Sequence, residues 1–434
     1  MNKSILPPTF LTYTLGCRVN QAETFSISNK LLTSGMETFE QKKYFSPNLV
    51  LINTCAVTSK AEKESRKAVL YFKKRYPTAK IVVLGCAADF ITNADLVIKN
   101  KDKENLPRII FEKFPNLAST LINNKQLTIN NQMFSSGRAL LKIQDGCNNF
   151  CAYCIVPFLR GKPKSISQKE IICKINKLVN LGIKEITLCG INLGLYRPGV
   201  INLLKKILSQ TSVERIALSS VEPNIVTKEF ADLFLKESRL VKYFHLALQS
   251  GSPKVLKEMG RKTDLKKLSK ILRFIKLKCP EFTFRADILV GFPTESEENF
   301  QETLDFIKKN KISFVHSFPF SVRPETKAEG FIKSSKWQDL PYRIKKERIK
   351  KIKDLVKKIQ EEEAQTLIGR TLPCLIIRKV STFWEAIANN SWPVKIRIMN
   401  NEQRTMGIKG KIMPVKIIGF KDSYLLGEIT SFPT

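Results

Sequence analysis

Three cysteines, Cys147, Cys151 and Cys154, fall within eight residues, in the run Asp145-Gly146-Cys147-Asn148-Asn149-Phe150-Cys151-Ala152-Tyr153-Cys154. A C-x3-C-x2-C set in one loop can wrap three thiolates around one face of a four-iron cube and leave one iron open. S-adenosylmethionine can chelate such an iron through its amino and carboxylate groups, which brings its sulfonium beside a reductant. Core filling does not call for cysteines this densely packed. A zinc site would need a fourth ligand, and the two histidines of the chain, His245 and His316, are distant in sequence. The spacing therefore favours iron-sulfur chemistry.

The remaining cysteines are scattered, and their meaning depends on the elements that carry them. Residues 9 to 88 read as strands near Thr9–Leu15, Leu49–Asn53 and Lys80–Leu84, with amphipathic helices near Gln21–Thr33 and Lys60–Arg75. This alternation predicts an α/β domain built on an open parallel sheet. Cys17, Cys55 and Cys86 each follow one strand. Carboxyl ends of parallel strands share one edge, where ligands bind, so cysteines seventy residues apart in sequence can meet there. Taken singly, each reads more readily as a buried strand-end residue than as a ligand.

Residues 90 to 135 read as a polar connection. From Arg138 the alternation restarts, with strands at Ala139–Gln144, Glu185–Leu188, Arg215–Leu218, Tyr243–Leu248, Thr283–Leu289 and Ser313–Phe318. Right-handed crossovers would arrange them as a partial (β/α)6 barrel, with its site at the carboxyl ends of the strands. Tyr342 to Leu367 predicts one long basic helix. Beyond it, short β-like runs at Cys374–Arg378, Pro393–Met399, Lys411–Ile418 and Leu425–Thr430 predict a small all-β module.

Seventy-three Lys and Arg against 39 Asp and Glu give a net charge of +34. That excess suits a polyanion, nucleic acid foremost, with a lysine-rich solvated surface as the lesser alternative. No run approaches the roughly eighteen apolar residues of a membrane span, and Met1–Phe10 lacks the pattern of a secretory signal. A cytoplasmic location with no membrane partner is expected. Reduced thiols, rather than disulfides, follow from it.

The motifs around these cysteines resemble the radical SAM methylthiotransferases. The resemblance rests on Thr14-Leu15-Gly16-Cys17-Arg18-Val19-Asn20-Gln21, Asn53-Thr54-Cys55-Ala56-Val57-Thr58, Leu84-Gly85-Cys86-Ala87 and the cysteine loop through Pro157. It extends to His245-Leu246-Ala247-Leu248-Gln249-Ser250-Gly251-Ser252 and Asp287-Ile288-Leu289-Val290-Gly291-Phe292-Pro293-Thr294-Glu295. It implies two [4Fe-4S] clusters, one on Cys147, Cys151 and Cys154 and an auxiliary one on Cys17, Cys55 and Cys86, together with S-adenosyl-L-methionine. Cys173, Cys189, Cys279 and Cys374 match no family ligand and are assigned to packing.

The form of the first motif is most similar to that of the subgroup acting on N6-threonylcarbamoyladenosine beside the tRNA anticodon. The subgroups acting on isopentenyladenosine and on a ribosomal protein carry different residues after the first cysteine. The implied reaction replaces hydrogen on adenine C2 by a methylthio group. An electron donor such as flavodoxin or ferredoxin is implied, whereas the sulfur donor is unknown.

The resemblance also places Tyr153 by the adenine of S-adenosylmethionine, and Gly190 and Asn192 by its methionine end. Ser219, Ser220, Glu222, Gln249, Asp287 and Gly291 follow or end later strands, where a barrel puts its cofactor-binding residues; turn and cap duties are the alternative for each. His316 is readable as a site residue or as a core histidine.

The terminal module resembles the TRAM domain. Lys395, Arg397, Arg404, Lys409 and Lys411 would track phosphates of an anticodon stem-loop, and Phe383 and Trp384 are core or a stacking platform. The expected division is 1–115, an α/β methylthiotransferase domain; 133–365, the radical SAM core with its linker helix; and 366–434, the TRAM-like domain. A non-enzymatic metal-bearing RNA-binding protein remains the rival from another class.

Overall fold

The computed structural model describes residues 7–40, 45–118, 136–397 and 407–431. Its N-terminal sheet has five strands, all parallel, in the spatial order Glu37–Thr38, Thr9–Thr14, Leu49–Thr54, Lys80–Gly85, Leu96–Val97. The middle strand, Leu49–Thr54, is buried along its whole length, as an unbroken apolar run covered on both faces requires. Helices Arg18–Thr33 and Ser59–Arg75 cover the sheet, and the latter is capped by Thr58, whose side chain accepts from the Ala61 N–H.

Part of the expected polar connection proves to be structure. Strand Leu96–Val97 and helix Leu106–Lys113 lie in it, and Ile98, Leu106 and Ile110 are buried against Phe10 and Leu31. The apolar residues there are too widely spaced to read as an element, and burial against the sheet selects them. The rest of the expected connection, 119–135, lies outside the described residues.

Six parallel strands follow in the predicted order: Arg138–Asp145, Glu185–Gly190, Arg215–Leu218 with its continuation Ser220–Val221, Tyr243–Gln249, Thr283–Val290 and Ile312–Pro319. Their hydrogen bonds fall into two sheets that break between Leu218 and Ser220. The break lies inside the third strand, so the six form one open barrel. Apolar residues at alternate positions (Leu188, Leu218, Leu246, Ile288) pack outward with the surrounding helices into one core.

Helix Tyr342–Gln365 leads to a closed barrel of strands in the order Thr371–Val380, Phe383–Ala388, Pro393–Arg397, Tyr424–Ile429, Ile412–Lys421. Four β-runs were expected and five strands are present. Strand Phe383–Ala388 was missed because its start reads as an isolated aromatic pair, whereas Trp384 is in fact buried core. The barrel docks on the first ends of the strands of the larger one: Arg215 donates to the carbonyls of Ile387 and Ala388 at 3.1 and 3.0 Å, and Phe314 meets Trp392 edge to face at 4.8 Å.

Candidate active site

The parallel register brings the N-terminal trio together. Thr14 lies opposite Asn53 and Thr54 opposite Gly85, so Cys17, Cys55 and Cys86 leave the sheet from one edge, and Cys17 and Cys55 both sense the charge of Cys86. Asn20 ties the turns together by donating to the carbonyls of Leu15 and Thr54, both at 2.9 Å. Gly16 precedes the first cysteine at φ +90°, and a Cβ there would fall 2.7 Å from the Cys55 sulfur, so only glycine permits the approach. Cys55 and Cys86 are buried and Cys17 is exposed.

The second trio is local. The Cys147 N–H donates to the Gly161 carbonyl at 3.0 Å, the Ala152 N–H donates to the Met259 carbonyl at 2.9 Å, and the Ala152 carbonyl accepts from Ala328 at 2.8 Å. These bonds pin the loop between the first and later barrel strands. Burial pushes the Cys55 and Cys154 thiols up to about 12, so without a cation each is a neutral thiol. A metal centre deprotonates such ligands on binding.

A residue that sequence reasoning did not single out joins the two trios. Arg160, 1% exposed at its side chain, donates through Nε to the Cys86 sulfur at 3.2 Å. Its two terminal nitrogens reach Asp145 at 2.8 Å, Glu23 at 3.0 Å and Asn20 at 2.7 Å. Asp145 is two residues from Cys147, so one guanidinium spans from one site to the other. Glu23 also pairs with Lys103 at 2.7 Å and Lys142 at 2.9 Å. Burial would raise the Glu23 carboxyl, but Arg160, Lys103 and Lys142 hold it well below the carboxylate range. The signal for Arg160 was its place six residues after Cys154, at the end of the short helix Val156–Arg160.

Arg261 plays a similar part on the other side. It ion-pairs with Glu222, donates to the Ala247 carbonyl at 2.5 Å, and lies 3.4 Å from the Tyr153 hydroxyl and 3.9 Å from the Cys151 sulfur. Burial raises the Glu222 carboxyl, with Arg261 opposing. Asn192 is brought to the loop, its Nδ2 standing 3.9 Å from the Cys147 sulfur and its N–H donating to Gln144 at 2.8 Å. Gly190 is packed so closely that a Cβ would lie 2.7 Å from Leu193. The Ser219 hydroxyl and the Gln249 Oε1 are buried with no hydrogen-bond partner among the described residues, and Gln249 sits at φ +70°. Unsatisfied polar atoms at a barrel mouth fit a polar ligand such as S-adenosylmethionine. The thiols, flanked by the guanidiniums of Arg160 and Arg261, likewise fit anionic iron-sulfur clusters.

Asp287 lies 3.0 Å from His245 and 3.3 Å from His316, and Ser220 donates to it at 3.4 Å. His316 is 74% exposed at its side chain and is not a core histidine. Gly291, at φ +73°, donates to Glu295 at 3.0 Å with Lys345 packed against it. Cys189, Cys279 and Cys374 are buried as expected of packing residues, but Cys173 is exposed: it lies on the outer face of helix Gln168–Asn180, where burial falls to Ile171, Ile175 and Leu178. Among the described residues no three His, Cys, Asp or Glu side chains converge to hold a single metal ion. A four-iron cube carries its thiolates on separate corners and does not require that convergence.

In the small barrel, Lys395 lies over the rings of Phe383 at 4.9 Å and Tyr424 at 4.2 Å. Arg397, Lys409 and Lys411 are exposed; Arg404 and the end of the expected strand to Met399 lie outside the described residues. No helix is long and apolar enough to cross a membrane, among the described residues.

Residues 141–307 match the model of the Radical SAM superfamily, and residues 9–104 that of Uncharacterized protein family UPF0004. Threonylcarbamoyladenosine tRNA methylthiotransferase MtaB of Aquifex aeolicus is 35% identical over 84% of this chain and 92% of its own, and the protein of that name from Chlamydia pneumoniae is 33% identical over 85% and 86%. The tRNA-2-methylthio-N(6)-dimethylallyladenosine synthase of Endomicrobium trichonymphae is 30% identical over 83% and 87%. The solved radical S-adenosylmethionine methyltransferase TsrM of Kitasatospora setae has the same fold, with a TM-score of 0.54 at 14% identity over 74% of this chain and 77% of its own.

Proposed function

The chain belongs to the radical SAM methylthiotransferase family, and from that premise we propose that it converts N6-threonylcarbamoyladenosine, next to the tRNA anticodon, to the 2-methylthio derivative. The observation that carries this reading is the Arg160 guanidinium, which hydrogen-bonds a cysteine of one trio and the carboxylate leading into the other. Two sulfur-rich sites held side by side suit a reaction that must both remove a hydrogen and deliver a sulfur at one carbon.

Cys147, Cys151 and Cys154 would hold one [4Fe-4S] cluster, and Cys17, Cys55 and Cys86 the other. With S-adenosylmethionine bound, these groups supply radical removal of a C2 hydrogen that no base of ordinary pKa could take, and the methylated sulfur that replaces it. The chain's own residues bind and orient. Asn192, Ser219, Gln249 and Tyr153 offer polar and aromatic contacts to S-adenosylmethionine, and Glu222 is held by Arg261 beside Cys151. Arg160 and Glu23 fix the two trios to each other, and burial at the edge of the N-terminal sheet keeps Cys55 and Cys86 from water.

The C-terminal barrel, as a TRAM-like domain, would bind the anticodon stem-loop through Arg397, Lys409 and Lys411, with Phe383 and Tyr424 holding Lys395. This divides the work among residues 1–115, 133–365 and 366–434, with flavodoxin or ferredoxin as electron donor, in the cytoplasm where tRNA is modified.

Mass spectrometry of total tRNA from a deletion strain tests the reading. Loss of 2-methylthio-N6-threonylcarbamoyladenosine is expected, and unchanged methylthio nucleosides would overturn it. The likeness to a dimethylallyladenosine synthase supports a second reading on that nucleoside, and purified enzyme offered both modified stem-loops separates the two.

A further inference from the structure

We propose that Arg18 is a specificity-determining residue that binds the carboxylate of the substrate's N6 substituent. The inference deepens the function proposed above and rests on it. A threonylcarbamoyl group is threonine joined through its nitrogen to a carbonyl on N6, so it keeps a free carboxylate that is ionised at neutral pH. A dimethylallyl group is a hydrocarbon. An enzyme for the first therefore gains by presenting a cation where the substituent lies.

Arg18 opens helix Arg18–Thr33, one residue from Cys17, and its side chain runs into the large barrel beside Tyr243, Cys189 and Glu185. Its Nη1 donates to the Tyr243 hydroxyl at 3.1 Å, and that hydroxyl in turn donates to the Leu218 carbonyl at 2.5 Å. No carboxylate pairs with Arg18 among the described residues. Glu185, the carboxylate it senses, is already held by Arg138 at 2.7 Å and Arg215 at 2.9 Å. Arg285 adds a fourth guanidinium, and among the described residues Arg138, Arg215 and Arg18 all act on the single carboxylate of Glu185.

Burial, with Arg18 and Arg138 adding to it against the phenol of Tyr243, brings Arg285 down to about 10. The other three arginines are committed: Arg138 and Arg215 to Glu185, Arg215 also to the Ile387 and Ala388 carbonyls, and Arg285 to the Ser391 carbonyl and the Phe314 ring at 4.0 Å. Arg18 alone of the four is bound to one neutral hydroxyl, leaving a guanidinium fork that matches a carboxylate in shape and charge. The proposed reaction brings the base to both trios, and Arg18 directly follows Cys17 of one of them.

The test uses cluster-loaded enzyme under anaerobic conditions and two anticodon stem-loops, one with threonylcarbamoyladenosine and one with the same group as its neutral carboxamide. Wild-type enzyme is expected to bind the carboxylate form about tenfold or more tightly and to methylthiolate it. Arg18→Gln should bind both forms with the affinity wild type shows for the carboxamide, and Arg18→Lys should keep part of the preference. Uncoupled cleavage of S-adenosylmethionine and its KM should be unchanged in both variants.

A preference retained by Arg18→Gln would overturn the assignment while leaving the proposed function intact. A raised KM for S-adenosylmethionine would assign Arg18 to that cofactor's carboxylate instead and overturn it equally. Arg18→Gln and Arg18→Lys losing both stem-loops alike would mark a structural role and end the proposal. Wild-type enzyme that modifies neither stem-loop would remove the function itself, and this inference with it.

Discussion

The two cysteine trios differ in how the chain makes them. Cys147, Cys151 and Cys154 occupy one loop, and the loop needs only its own turns and a few bonds to its neighbours. Cys17, Cys55 and Cys86 come from three strand ends and meet only because the sheet is parallel and in register. The first trio should therefore tolerate damage elsewhere in the fold, whereas the second depends on every contact that holds the sheet and helix Arg18–Thr33 together. Arg160 makes the dependence mutual, because it ends the short helix Val156–Arg160 that follows the first loop and bonds to the second trio.

The largest effects should separate the trios by role. Cys151→Ala is expected to abolish formation of 5'-deoxyadenosine, while Cys17→Ala permits it and blocks the methylthio product. Each should lower iron from about eight per chain towards about four. Equal loss of cleavage in both variants would contradict the division.

Next in size is the link. Arg160→Gln removes one of the two cations that Glu23 and Asp145 share and leaves them Lys142, with Lys103 also on Glu23, so the cost should lie at or below the low end of the roughly 3–5 kcal/mol of an unpaired buried charge. Chemical denaturation should register it, and iron should be lost from the Cys17, Cys55 and Cys86 site first. Retention of all iron with unchanged stability would mean that the trios are independent after all.

Glycine positions sharpen the contrast at smaller cost. Gly16→Ala and Gly146→Ala each force an alanine to positive φ, about 1–3 kcal/mol. At Gly16 the added Cβ meets the Cys55 sulfur, but at Gly146 (φ +71°) it meets the Lys162 carbonyl at 2.2 Å. Thermal unfolding should fall in both. Absorption of the auxiliary cluster should fall in Gly16→Ala alone.

The smallest effect is a pH dependence confined to the barrel. His316 is raised by its bond to Asp287, and the His245 and His316 rings hold Asp287 below the carboxylate range against its burial. The raised histidine stabilises fully below its unfolded value near 6.5, and that contribution disappears as pH rises through the folded value. The depressed carboxylate stabilises above about 4 and loses its contribution as pH falls through its folded value. His316→Ala should thus cost most between about pH 4 and 6.5 and little at high pH, and the exposure of His316 keeps the difference small. Glu23, held well below the carboxylate range, should give the N-terminal network no such dependence near neutrality. A flat difference curve for His316→Ala would remove this distinction.

The sequence by itself settled what is local or periodic. Cysteines within one loop are neighbours whatever the fold, and alternating strand and helix patterns repeat often enough to determine an open sheet and a six-stranded barrel. Strand Phe383–Ala388 and helix Leu106–Lys113 escaped because their apolar residues become legible only against the surface they pack on. Only the tertiary structure decided that Arg160 reaches Cys86, that Glu23 is its counter-charge, and that Arg18 enters the barrel without a carboxylate. These pairings join residues as far as 225 positions apart, and charge complementarity between distant side chains leaves no spacing in the chain from which it could be read.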